Sequence, residues 1–162
     1  MRVDKPGAPL LSHGPMSTTW ILVAHRAGAR VLESHGPAHA LTVVRELDHP
    51  EGRLKAQEID ADRPGQSHYS SLHGPHPQAT EQDATDKVAD DFAKELATIL
   101  DEARIHHRYG RLVLVAAPRF LGKLRDALPH PTASLVVASV DKNIPDAEPA
   151  TVRTLLENVV LV

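Results

Sequence analysis

Leu112-Val113-Leu114-Val115-Ala116-Ala117 is an unbroken apolar run closed by Pro118. A strand with one wet face alternates apolar and polar side chains, whereas a strand covered on both faces reads as continuous apolar sequence. The run therefore predicts a strand inside a sheet, and Pro118, with no N–H to donate, ends it. Downstream, Phe120 to Leu128 places Leu121, Leu124 and Leu128 on one side of a short helix, and Leu135 to Val140 reads as a second buried strand. Glu148-Pro149 opens a last helix, because proline is tolerated in a first turn whose N–H groups have no intrahelical partner. The tail Val159 to Val162 is apolar and needs cover.

Upstream of the run, Thr80-Glu81-Gln82-Asp83 reads as a helix start. Val88, Phe92, Leu96, Ile99 and Ala103 follow at helical spacing, giving one apolar face. Glu81, Asp83 and Asp86 open this helix and Arg104, His106, His107 and Arg108 close it, as the macrodipole favours, and Gly110 is the expected stop. Between Asp48 and Thr80, Pro50, Gly52, Pro64, Gly65, Gly74, Pro75 and Pro77 break any periodicity. A loop of that length is uncommon and is usually functional or mobile. Before it, Trp20 to His25 and Ala29 to Ser34 flank Arg26-Ala27-Gly28 as a hairpin, and Leu41 to Leu47 supplies a third strand.

Residues 1–16, rich in proline, glycine and polar groups, are expected to be a disordered N-terminal extension, with 17–162 as one domain holding the 48–80 loop. The element order is a three-strand meander, a long helix, a strand, a helix, a strand and a helix. It predicts an α/β fold with a mixed sheet, because the later strands need crossovers that make them parallel to a neighbour.

The 162 residues suit a single self-sufficient core, and 41% hydrophobic with 24% charged residues is ordinary globular composition. Cysteine is absent, which removes disulfides and thiolate metal sites. No apolar run is long enough to span a bilayer or to form a signal-peptide core, so a cytoplasmic protein without membrane insertion is expected. A net charge of −3 argues against a generic nucleic-acid binder, so any RNA contact must be local. The 11 histidines are an excess, and they are the side chains whose charge changes between pH 5 and 8.

Four blocks, in this order, resemble the bacterial host-attachment protein family: Trp20-Ile21-Leu22-Val23-Ala24, His49-Pro50-Glu51-Gly52-Arg53-Leu54-Lys55, Asp62-Arg63-Pro64-Gly65, and the stretch from Arg111 through Arg119-Phe120-Leu121-Gly122-Lys123 to Arg125. The resemblance runs from about residue 17 to 157. It implies a ribonuclease-H-like mixed sheet similar to the middle domain of the eukaryotic and archaeal class-1 peptide release factor, and through that a link to translation. Two positions depart from the family: His25 stands where an aspartate is usual, and Asn143 follows Lys142 where the family normally has aspartate. A mechanism that needs those carboxylates fails here. The family name describes attachment to a host cell, a phenotype rather than a reaction.

Within the long loop, Pro64-Gly65-Gln66-Ser67 is similar to the release factor's Gly-Gly-Gln loop, which implies Gly65 and Gln66 as catalytic candidates for hydrolysing a peptidyl-tRNA or other ester. Pro64 replaces the first glycine, which locks φ and removes an N–H, so the analogy is damaged and a plain tight turn is the simpler reading of the Pro-Gly pair. Arg119, Lys123 and Lys142 follow the two later strands, and Arg53, Lys55 and Arg63 lie in the loop. Ligands of open α/β sheets collect beyond strand carboxyl ends, so Arg53, Arg63, Arg119, Lys123 and Lys142 are the candidate anion site, unless they are only solvated charges. His68, His73 and His76, with His49 and Asp62, are the candidate metal ligands, although loop spacing fixes no geometry. His25 is a further strand-end candidate. No G-x-S-x-G, P-loop or dinucleotide fingerprint occurs, so no nucleotide cofactor, and no cofactor at all, is expected. Three readings remain open: a release-factor-like module contacting ribosomal RNA or another anionic partner, a hydrolase using Gln66, and a homo-oligomeric interaction protein paired through the apolar tail or a strand edge.

Overall fold

Five strands form one sheet in a computed structural model that describes residues 18–52 and 77–162, with side chains from residue 84 onward in the second stretch. The expected disordered extension and most of the 48–80 loop lie outside the described residues. The strands are β1 (Thr19–His25), β2 (Gly28–Ser34), β3 (Thr42–Asp48), β4 (Arg111–Ala116) and β5 (Val136–Asp141). Their order across the sheet is β3-β2-β1-β4-β5. β1–β2 and β2–β3 are antiparallel, while β4 pairs parallel with both β1 and β5, so the sheet is mixed. The helices are α1 (Pro77–Ile105), α2 (Pro118–Ala127), the single turn α3 (His130–Ala133) and α4 (Pro149–Leu156).

The unbroken apolar runs occupy the two central strands, and alternate side chains feed two cores. Trp20, Leu22, Leu112 and Leu114 pack with Phe92, Leu96 and Leu100 of α1 and Leu121 and Leu124 of α2. Ile21, Val23, Val113 and Val115 face the other way, onto Val152 and Leu156 of α4 and onto Leu41 and Val162. The need of the apolar tail for cover is met at Val162, whereas Val159 and Leu161 stay exposed. Tyr109 stacks on Trp20 with ring centroids 5.0 Å apart. Its hydroxyl donates to Leu100 O at 2.7 Å, closing the first core below α1, and burial raises its pKa.

Three expectations are corrected. β5 is not a second buried strand: among the described residues it is the edge of the sheet, and a register shift opposite Leu112/Val113 leaves Val137 48% exposed. α1 begins at Pro77 rather than Thr80. It also ends before Gly110, at Ile105. His107 adopts φ 56°, the Arg108 N–H bonds Ala103 O at 2.9 Å and the His107 N–H bonds Arg104 O at 2.9 Å. That is a Schellman stop with a histidine in the left-handed position usually given to glycine.

Candidate functional site

Parallel β1, β4 and β5 end together, and β3 runs back to the same rim, so His25, Asp48, Ala116 and Asp141 mark one end of the sheet. His25 closes β1 at the two-residue turn, and its Nδ1 accepts the Ala27 N–H at 3.2 Å. In the neutral ring the proton therefore sits on Nε2. Burial, with Arg30 second, lowers the His25 pKa below the ordinary value, which favours that neutral form. His25 opens onto a cleft of about 330 Å³ whose walls include Arg30, Glu46, Asp48, Pro145 and Ala147. Arg30 spans this cleft: it donates to Ala147 O at 3.1 Å and pairs with Glu46 at 3.2 Å and Glu148 at 3.4 Å, tying the start of α4 to the meander.

Beyond β3, His49 is buried, its ring lies parallel to Phe92 at 4.0 Å, and its Nδ1–H donates to Arg26 O at 3.0 Å. The His49 N–H bonds Ala27 O at 2.8 Å. Gly52 sits so tightly on this pair that a Cβ would overlap both Arg26 O and the His49 ring. The chain that leads into the 53–76 segment is thus stitched to the β1–β2 turn. His49 serves as an anchor in the described structure. Its supposed co-ligands Asp62, His68, His73 and His76 lie outside the described residues, and among the described residues no three metal-ligating side chains cluster.

Of the five anion candidates, Arg53 and Arg63 lie outside the described residues, as do Gly65 and Gln66 of the candidate catalytic loop. Arg119, Lys123 and Lys142 do share the rim, since α2 follows β4 and Lys142 follows β5. Two of these cations already have carboxylate partners. Arg119 pairs with Asp86 at 2.7 Å, and Lys123 pairs with Asp90 at 2.8 Å and Asp86 at 3.9 Å. The Lys123 hydrogen bond holds the Asp90 carboxyl below the usual carboxylate range. Lys142 and Arg26 are exposed at this rim. The carboxylates of Glu46, Asp48, Glu51, Asp141, Asp146 and Glu148 also lie there, so the described part of the rim is not a basic surface. Sequence reasoning missed these pairings. The signal was present, because Asp86/Asp90 on α1 and Arg119/Lys123 on α2 share the i, i+4 spacing of a single helix face.

The arrangement joins an ordered sheet end to a segment that leaves after Gly52 and returns into α1, whose carboxylates lie against α2 at the same end. The archaeal translation termination factor aRF1 has a similar fold: TM-score 0.52 at 10% identity, over 98% of this chain and 39% of that one. A second archaeal protein gives 0.49 at 11% identity, over 98% and 38%. The chain therefore spans well under half the length of either, and at such identity the likeness concerns the fold alone. No curated protein sequence matches. The family model for proteins required for attachment to host cells matches residues 20–156, a span that takes in the strands and helices named above, and the chain belongs to that family.

Proposed function

We propose that the chain is a release-factor-like binding module that holds its 53–76 segment against an anionic partner, with ribosomal RNA as the foremost candidate. One observation carries the reading: the chain that leads into that segment is anchored on the β1–β2 turn through His49 and Gly52, beside exposed Arg26, and Arg53, Lys55 and Arg63 come after it in sequence. The release-factor-like fold supports the translational setting. Because α1 carboxylates occupy Arg119 and Lys123, the contact rests on Arg26, Lys142 and the segment's own cations.

Contacts to phosphates release counterions, so affinity for RNA falls steeply with salt. Co-sedimentation with ribosomes is expected at low salt and lost at high salt, and Arg26→Glu combined with Lys142→Glu weakens it. Absence of association at low salt overturns the reading. If Gln66→Ala abolishes release of peptide from a peptidyl-tRNA without changing association, the module is a hydrolase as well.

A further inference from the structure

Among the described residues β5 pairs on one side only, with β4, and β3 pairs on one side only, with β2. The two edges differ in chemistry. β3 sets Arg45, Glu46 and Asp48 along its length, and charged side chains keep an edge strand from joining another sheet. β5 carries no charge from Val136 to Val140, so its outer N–H and C=O groups lack that protection. The register shift opposite Leu112/Val113 blunts only the start of β5, and from Ala138 to Asp141 its ladder with β4 is regular.

Two opposite charges sit on one face of this regular stretch. Ser139 and Asp141 lie beside Leu114 and Ala116, on the side of the sheet covered by α1 and α2. Arg125 of α2 donates to Ser139 Oγ at 3.0 Å, which holds its guanidinium at the edge strand. Arg125 and Asp141 are both exposed, and neither has an oppositely charged partner among the described residues. Gly122 stands three residues before Arg125, on the same face of α2. Glycine weakens a helix interior relative to alanine, and beyond its own helix no described atom lies within 4 Å of where a Gly122 Cβ would be. Nothing in the described chain calls for a glycine there, whereas a second helix passing close by does.

We propose that β5 is the interface of a two-fold dimer, in which the β5 strands of two copies pair antiparallel and join two five-stranded sheets into one of ten. Such an interface is isologous, and residues directly opposite each other share a face, so the axis passes between a residue and its own counterpart. The middle of the regular stretch offers Ser139 or Val140. Centred on Ser139, the pairing sets the two Arg125 guanidiniums against each other, and like charges directly opposite are destabilising. Centred on Val140, it sets Ser139, with Arg125 bound to it, opposite Asp141 of the second copy, and does so twice by symmetry. Charge therefore selects the Val140 register. On the other face of the joined sheet Val140 meets Val140, and over the Ser139 face the two α2 helices approach on the side that carries Gly122 and Arg125.

Sedimentation equilibrium of the full chain is expected to show a concentration-dependent monomer–dimer equilibrium. Arg125→Glu and Asp141→Arg each turn two attractive cross-strand pairs into repulsive ones and weaken the dimer about tenfold, while the double variant restores it to within a few-fold. Both positions are exposed, and the double variant controls for any loss of folding in the singles. Because the chain has no cysteine, Val140→Cys introduces a single thiol. Residues directly opposite in an antiparallel pair have Cα atoms about 4.5–5.5 Å apart, within reach of a disulfide, so mild oxidation yields a covalent dimer. Val44→Cys, at an exposed position on β3, is expected to stay monomeric under the same treatment. Amide hydrogen exchange at residues 138–142 slows as protein concentration rises, and exchange along β3 does not. A chain that is monomeric at every concentration, a double variant as weak as the singles, or equal cross-linking at Val44 overturns the proposal. Protection of residues 138–142 that is already complete in the dilute monomer also overturns it, because the edge is then covered by the chain's own 1–17 or 53–76 segment.

Discussion

Lys123 is the residue at which the structural and the anion-binding readings of the rim diverge most sharply. Its side chain is 19% exposed and its Nζ lies 2.8 Å from an Asp90 oxygen that is itself about half exposed. Unit charges at that separation attract by about 1.5 kcal/mol in water and about 6 kcal/mol at an effective dielectric constant near 20. The exposed carboxylate pulls the value toward the water limit, and ordering the lysine chain reduces it further, which leaves a coupling of about 1 kcal/mol. A double-mutant cycle with Lys123→Met and Asp90→Asn, followed by urea unfolding at neutral pH, measures it directly. Each single variant is expected to lower the melting temperature by about 2–4 °C, with the double variant little worse than either. Because Asp90 titrates below its ordinary range in the folded protein, the coupling is fully present above about pH 4 and fades as pH falls through the folded value. A coupling near zero, together with loss of ribosome association in Lys123→Met, would refute the assignment of Lys123 to the α1–α2 contact and return it to the anion site.

The anchor of the 53–76 segment is equally open to test: Gly52→Ala forces a Cβ into Arg26 O and the His49 ring, and should cost about 1–3 kcal/mol in urea unfolding, with no cost if the stitch is unimportant. His107→Gly relieves a left-handed residue at the end of α1 and should stabilise the protein by about 0.5–1 kcal/mol, whereas a loss of stability would mean the histidine ring itself secures the stop. The pKa of His25 is lower in the folded than in the unfolded chain, so the unfolded state binds more protons below about pH 6.5 and stability falls as pH drops through that window. His25→Gln should flatten this part of the stability–pH profile, and an unchanged slope would show that the loss comes from other groups.

The two central strands were readable because burial on both faces leaves no room for polar side chains, and the long helix was readable because its apolar face repeats at Phe92, Leu96, Ile99 and Ala103, although the structure buries Leu100 more deeply than Ile99. The errors have local causes. Val136 to Val140 is as apolar as the central runs, but an apolar sequence does not say whether a second neighbour exists, and among the described residues β5 pairs with β4 alone. Gly110 is a better helix stop than His107 by propensity, yet the buried stack of Tyr109 on Trp20 requires the chain to leave the helix earlier, and tertiary packing prevails over propensity. The candidate site was the least readable part. Counting cations placed Arg119, Lys123 and Lys142 after the two later strands, but the effective charge of Arg119 and Lys123 depends on carboxylates more than thirty residues away that only the folded chain brings alongside.

The pairing of β1 with β4 also governs the time order of folding. Thr19 lies beside Arg111 in that ladder, so the heart of the sheet is closed between residues 92 positions apart. Contacts of such long range are slow to form, because the entropy of the intervening chain must be lost before they are gained. On the ribosome, the β1–β2 hairpin emerges with one edge and both oily surfaces uncovered, and waits while α1 and then β4 are synthesised. Until β4 arrives, the β1 edge that it will cover has no partner strand, and an unpaired edge is open to pairing with the wrong neighbour.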